Sequence, residues 1–468
     1  NAALFAEVYV PHDAAVGEHL GKLRLTAGKE SLELKVVLTV WDFTLPDFLS
    51  FIAEMNCYGL PANERDYYRL AHEHRTALNR VPYYQNGRVA PGCAPDWDGR
   101  RLDFDAWDAR FGPLLDGTAF DDLPRRGVPL TCFYLPLHEN WPTPIEGNYN
   151  GDFWADRAFP AAYRAAFVAA SRQLAEHCDA HGWHDTLLQC FLNGKNSFKQ
   201  EGWSHGSSPW LLDEPANFQD YWALRYFGRA FHEGLNQGGG KARMLFRCDI
   251  SRPQWQRDAL DDVLDYNVVG GSLRQYHRMV TDRKRDLGQI VIEYGSTNAI
   301  DQSNVQPVGW CLDAWSHSAN GVLPWQTIGT AESWRKADAL ALFYPSEGPN
   351  PGKPAPSIRL KAYRRGQQDV EYLTLLSLAT DEPRWAIGQR VREALHLVAE
   401  RRGTGVTEGE DAGIVHYAAL KPQDVSSLRV RIGRALGELH PAPQRRLVEL
   451  RTPPRSPAAE FGSAAGQP

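Results

Sequence analysis

The chain has 468 residues, enough for one large α/β domain of barrel size with smaller attachments. Its 43% hydrophobic and 23% charged residues are ordinary for a globular protein, and a formal charge of −6 without a basic patch argues against a nucleic-acid partner. No apolar run reaches the roughly 18 residues of a membrane-spanning helix.

The first residue is Asn1, with neither an initiator Met nor the regions of a signal peptide. The expectation is a truncated N-terminus and no assignable compartment. Residues 1–46 read as partial β-sandwich strands and a linker: Leu4–Val10, Leu20–Leu25 and Leu32–Trp41, then Asp42–Pro46 as the exit.

Residues 47–382 alternate short apolar runs with amphipathic stretches. The predicted strands are Phe48–Met55, Arg75–Val81, Pro129–Leu135, Thr186–Leu192, Arg243–Cys248, Tyr266–Gly270, Gln289–Tyr294 and Gly321–Trp325. The clearest predicted helices are Ala161–His181, Phe218–Glu233 and Ser333–Phe343. Eight strands with helical crossovers predict a (β/α)8 TIM-type barrel. No GxGxxG or P-loop supports the rival doubly wound sheet. Residues 383–451 predict a short helical appendix, with helices near Trp385–Arg401 and Val425–Leu439, and 452–468 a disordered tail.

Seven scattered cysteines show no CxxC and no metal spacing, so buried thiols are expected, with neither a metal nor a cofactor. His138 beside Glu139 could start a metal site but has no further ligands at helpful spacing. Fifteen tryptophans, among them Trp141, Trp154, Trp203, Trp210, Trp310 and Trp325 in loop-like stretches, favour a carbohydrate ligand weakly. Sugar rings present C–H faces to flat aromatic surfaces, although most of these rings are expected in the core.

The most informative stretch is Trp210-Leu-Leu-Asp-Glu-Pro215. An extended run, two adjacent acids and a helix from about Asn217 put Asp213 and Glu214 in a strand-to-helix connection, where barrel enzymes place catalytic groups. Neighbouring acids repel, which can leave one protonated beside an ionised partner. The plain alternative is that Asp213 merely caps the helix.

Trp210–Pro215 resembles the catalytic motif of glycoside hydrolase family 123. Pro356–Leu373 is similar to that family's last barrel helix, Val36–Pro46 to its sandwich-to-barrel join, and Ala319–Trp325 to its last strand. The resemblance covers roughly residues 1–380. It implies a β-sandwich before a barrel and β-N-acetylgalactosaminidase activity by substrate-assisted retention. Glu214 would then be the acid/base, and Asp213 would orient the 2-acetamido group whose oxygen attacks the anomeric carbon.

Glu293, ending the seventh strand, offers an alternative as the direct nucleophile of a retaining glycosidase with Glu214 as acid/base. A catalytically silent carbohydrate-binding barrel is the third reading. Candidate sugar contacts at strand ends are Asn56, Tyr58, His138, Glu139, Asn193, Lys195, Asn196, Trp210, Asp249, Tyr276, His277, Glu293, Trp325 and Gln326. Arg359, Arg364 and Arg365 are expected to pair with Asp369 and Glu371 rather than bind an anion.

Overall fold

The computed structural model describes residues 5–84, 86–194, 208–296, 299–347, 351–401 and 415–450. Two strands, β1 (Gly17–Ala27) and β2 (Glu30–Val40), form an antiparallel pair at the N-terminal end. The predicted strand at 4–10 is not one in the described residues 5–10. Side chains there run to a helix instead of a sheet edge: Glu7 pairs with Lys361 and Arg364, and the Lys361 ammonium lies 5.0 Å from the Phe5 ring centroid.

The centre is an eight-stranded, all-parallel, nearly closed barrel. Its strands are β3 (Ile52–Cys57), β4 (Ala77–Arg80), β7 (Cys132–Tyr134), β8 (Leu187–Phe191), β9 (Met244–Ile250), β10 (Tyr266–Val269), β11 (Ile290–Gly295) and β12 (Gly321–Pro324). The order is β4-β3-β12-β11-β10-β9-β8-β7. A side-chain bond links the ends, the Tyr134 amide donating to Asn79 Oδ1 at 3.0 Å. All eight predicted strands are present, so the (β/α)8 expectation holds.

The crossovers carry α1 (Glu64–Glu73), the small hairpin β5–β6 (Asp96–Trp97, Leu102–Asp103) with α2 (Asp105–Leu115), α3 (Ala161–Ala180), α4 (Phe218–Gly238), α5 (Pro253–Gln256), α6 (His277–Leu287) and α7 (Val305–Ser316). The period of two sorts the side chains. Ile52, Leu187, Leu245, Tyr266, Ile290, Ile292 and Leu323 pack inside the barrel. Their neighbours Ala53, Leu188, Phe246, Val291 and Val322 join the larger core beneath the helices. A Cβ on Gly321 would lie 2.1 Å from the Ile52 carbonyl oxygen, so only glycine lets β12 close against β3.

The predicted helix 333–343 is only a single turn at Ala331–Trp334. Asp338 stops it, its carboxylate accepting from the Leu340 and Ala341 amides at 2.8 and 3.0 Å and so offering the chain a turn. Helix α8 (Ile358–Thr380) follows. Arg365 pairs with Asp369 at 2.9 Å as expected, but Glu371 takes Arg75 at 2.9 Å, and Arg359 donates to the Asp338 carbonyl at 2.9 Å.

Helices α9 (Arg384–Leu395) and α10 (Pro422–Leu439) pack on α7 and α8. Between them Tyr417 is fully buried, exchanging hydrogen bonds with Gln306 and donating from its hydroxyl to Asp313 at 2.8 Å. All seven cysteines are buried free thiols. The predicted tail 452–468 lies outside the described residues. Among them, no helix is long and apolar enough to cross a membrane.

Candidate active site

The upper layer of the barrel is polar. Along β9 the inward row is Leu245, Arg247 and Asp249, and a buried guanidinium requires partners. Arg247 donates from Nε and Nη2 to both Asp249 oxygens at 2.7 and 2.8 Å. Its Nη1 reaches Glu54 and Gln189 at 3.0 Å each, and also the Tyr134 hydroxyl. Tyr134 passes the connection on, donating to Asn56 Oδ1 at 2.7 Å, while Asn56 Nδ2 donates to the Trp325 carbonyl at 2.7 Å. Burial pushes the Asp249 carboxyl above its usual range, with Arg247 opposing and the charges of Glu54 and Glu214 adding to the rise.

The Asp213–Glu214 turn is seated on this layer. Gly194, just after β8, accepts from the amides of Leu212 and Asp213 at 2.8 and 3.3 Å, and the Glu214 amide donates to the Asp249 carbonyl at 3.1 Å. Below the turn, Asp220 of α4 accepts from the amides of Leu211, Ala216 and Asn217 at 3.0, 3.1 and 3.0 Å. Asn217 is the helix cap and forms a capping box with Asp220, so neither Asp213 nor Glu214 spends its carboxylate capping α4. Glu214 has φ +59°, the left-handed region that non-glycine residues seldom occupy. The pair therefore sits on a bend, not on the extended segment its sequence suggests.

Tyr294, at the end of β11 and facing inward, donates its hydroxyl to Glu214 Oε1. Burial and then the Glu214 charge push this phenol well above its normal range, so it remains a donor at any working pH. The charges of Asp213 and Asp249 bear on it too. Around one hydroxyl the fold thus gathers Asp213 (4% exposed), the half-buried Glu214 and Asp249.

The other predicted residues divide. Asn56, Asp249 and Trp325 belong to this end of the barrel, and Trp325 is 37% exposed. Tyr58 lies half-buried against the cluster of Val81, Tyr83, Tyr134 and Phe191. Asn193 is fully buried next to Gly194, and neither its amide oxygen nor its nitrogen has a hydrogen-bond partner among the described residues. His138 and Glu139 are also fully buried, paired at 3.0 Å beneath Tyr83 rather than exposed to a sugar.

Trp210 is a core residue, its ring edge-on to Tyr149 and Phe159 and its indole nitrogen donating to Phe153. Trp141 and Trp310 are buried as well. Tyr276 precedes α6 and His277 begins it; both are half-buried. Gln326 donates to the Ile328 carbonyl at 3.2 Å. Lys195, Asn196 and Trp203 lie outside the described residues.

Glu293 has the opposite strand parity from Tyr294 and faces out of the barrel. There it is fully buried and held by Arg274, which also binds Asp313 at 2.6 Å and Tyr417 at 2.8 Å. Burial pushes Asp313 up, but Arg274, His317 and Tyr417 outweigh this and bring it to about 2. Glu293 is thus part of an ion cluster between barrel and helices. By that parity its side chain points away from the barrel interior, where Tyr294 points.

Among the site residues absent from the sequence-based expectations are Arg247, Asp220 and Tyr294. Each left a signal. Arg247 is a charge inside an apolar strand two residues before Asp249, hence on the same face. Asp220 completes Asn217-x-x-Asp220, and Tyr294 continues the inward row of Ile290 and Ile292.

Acids in the turn after the fourth strand lie at the face where (β/α)8 barrel enzymes carry their catalytic groups. No family model and no curated protein matches the chain. Among solved structures, a family 123 glycoside hydrolase from Clostridium perfringens superposes with a TM-score of 0.51 at 13% identity, over 92% of this chain and 77% of that one. A fungal β-1,4-galactanase aligns at TM-score 0.39 and 10% identity, covering 67% and 99%, and a GH138 enzyme targeting pectin rhamnogalacturonan II at 0.36 and 10%, covering 80% and 60%. The chain shares the family 123 enzyme's fold.

Proposed function

We propose that this chain is a glycoside hydrolase that removes a 2-acetamido sugar, β-linked N-acetylgalactosamine, by substrate-assisted retention. The observation that carries the reading is the Asp213–Glu214 turn itself. Two adjacent acids, neither used as a helix cap, sit at the C-terminal ends of the strands with Tyr294 on Glu214. The fold shared with the family 123 enzyme supports a glycan substrate.

In this scheme Glu214 gives its proton to the glycosidic oxygen as the bond to the anomeric carbon breaks. Asp213 accepts a hydrogen bond from the acetamido N–H and turns the acetamido oxygen towards that carbon. The carbon–oxygen bond it forms gives a cyclic oxazolinium ion, whose positive charge Asp213 offsets. Glu214, now ionised, takes a proton from water as the water oxygen attacks the same carbon and reopens the ring. Configuration is retained after two displacements, and no enzyme nucleophile is required. The outward burial of Glu293 and the bidentate hold of Arg247 on Asp249 both favour this scheme over a direct nucleophile. Trp325 would supply the apolar face for the sugar ring.

Aryl β-glycosides bearing acetamido, fluoroacetamido, difluoroacetamido and trifluoroacetamido groups test the scheme. Each fluorine weakens the carbonyl oxygen as a nucleophile, so kcat/KM falls steeply along the series and the first-formed sugar is the β-anomer. A flat series, or an α-anomer, contradicts it.

A further inference from the structure

Helices α2 and α3 bring together three metal-ligating side chains that the site above does not use. His177 and His181 lie four residues apart, one turn of helix, at the end of α3, so their rings share a face. Asp108, on the first turn of α2, meets both with one carboxylate: Oδ1 is 2.8 Å from His177 Nε2 and Oδ2 is 3.7 Å from His181 Nε2. One donor atom from each of the three falls within 4.8 Å of the others, the convergence a single ion requires.

The rings are held in position by neighbours. Phe104 stacks on His177 at 3.7 Å between centroids and 4° between planes, and Trp183 stacks on His181 at 4.7 Å and 25°. An ordinary His–Asp ion pair accounts for the first contact. It does not account for a second imidazole directed at the same carboxylate from beyond hydrogen-bond distance.

The cluster opens on a cleft of ≈ 860 Å³ that shares no lining residue with the barrel mouth. Asp96, Asp98, Asp103 and Asp105 line it against one cation, Arg101, so its field favours a positive ion.

We propose that Asp108, His177 and His181 form a binding site for a divalent transition cation, zinc being the best match to two imidazoles and one carboxylate. Three protein ligands leave a coordination position open to the cleft. The ion would clamp α2 to α3 and so stabilise this side of the barrel.

The test uses the full chain, stripped with chelator and dialysed, with Zn2+ and Co2+ as probes. Calorimetric titration gives one equivalent of tight Zn2+ for the parent chain, and Zn2+ raises its unfolding midpoint. His181→Gln, at a side chain already 45% exposed, and Asp108→Asn keep the far-UV circular dichroism of the fold. Each weakens Zn2+ binding at least tenfold and loses the midpoint shift. Co2+ produces visible absorption bands with the parent chain and not with the variants. Zn2+ affinity unchanged in both variants, or no tight equivalent in the parent chain, would overturn the site and leave Asp108–His177 as an ion pair only.

Discussion

At Glu214 a left-handed backbone, an amide bonded to the Asp249 carbonyl and the Tyr294 hydroxyl act on one residue. Uncommon backbone conformations persist where surrounding structure over-determines them, and they concentrate at functional sites. Two glutamates that look equivalent in the sequence, Glu214 and Glu293, differ in their surroundings. Glu214→Gln removes the acid/base and lowers kcat by roughly 10²–10⁴-fold with little change in stability. Glu293→Gln leaves kcat within a few-fold but lowers the unfolding midpoint, because the half-buried Arg274 loses a fully buried charged partner. Steady-state kinetics and thermal unfolding of the two variants check this, and a Glu293→Gln protein that is stable but inactive would reverse the assignment. The parity that decides between them is legible in Ile290-Val-Ile-Glu-Tyr-Gly295: inward Ile290 and Ile292 put Tyr294 inside and Glu293 out. The charge cluster that holds Glu293 is not legible there, because Arg274, Asp313 and Tyr417 meet only through the tertiary fold.

Among the elements, the turn from Trp210 to Asn217 depends on a single carboxylate of the following helix. Asp220 accepts from three amides of the turn, and one of its own helix-capping contacts fixes where α4 begins. Asp220→Ala therefore costs about 1–3 kcal/mol in chemical denaturation, since three part-buried amides lose their acceptor. It also lowers kcat/KM beyond what the stability loss explains, because the seat of Glu214 shifts. Full activity in a folded Asp220→Ala protein would show that the turn holds itself. The eight barrel strands are legible because strands buried on both faces read as apolar runs. The segment 333–343 misleads because its helical periodicity competes with Asp338, whose local hydrogen bonds decide the outcome. Similarly, 5–10 alternates like a strand, yet its residues find charged and aromatic partners on α8.

Across the whole molecule, stability should fall in acid for a reason separate from the active site. His72 of α1 is stacked on Phe120 at 4.1 Å, with Nε2 donating to the Val128 carbonyl at 3.0 Å. Burial, reinforced by Arg125, brings its pKa from 6.5 down to about 2. The unfolded chain protonates this ring below about 6.5 while the folded chain leaves it neutral, so the unfolded state binds the extra proton throughout that window. Stability present above 6.5 is therefore lost as pH falls, by at most about 1.4 kcal/mol per pH unit from this group. Urea midpoints measured from pH 7 to 4 should decline less steeply in His72→Gln than in the parent chain; parallel declines would assign the acid loss elsewhere.

Hydrolysis of aryl β-glycosides of N-acetylgalactosamine, N-acetylglucosamine and galactose by the parent chain, Glu214→Gln and Asp213→Asn distinguishes substrate assistance from its rivals. Turnover of acetamido sugars alone is expected, strongest for N-acetylgalactosamine, with its loss in both variants. Turnover of the plain galactoside, or an Asp213→Asn protein that remains active, would contradict substrate assistance. No turnover of any of the three by the parent chain would contradict the proposed activity.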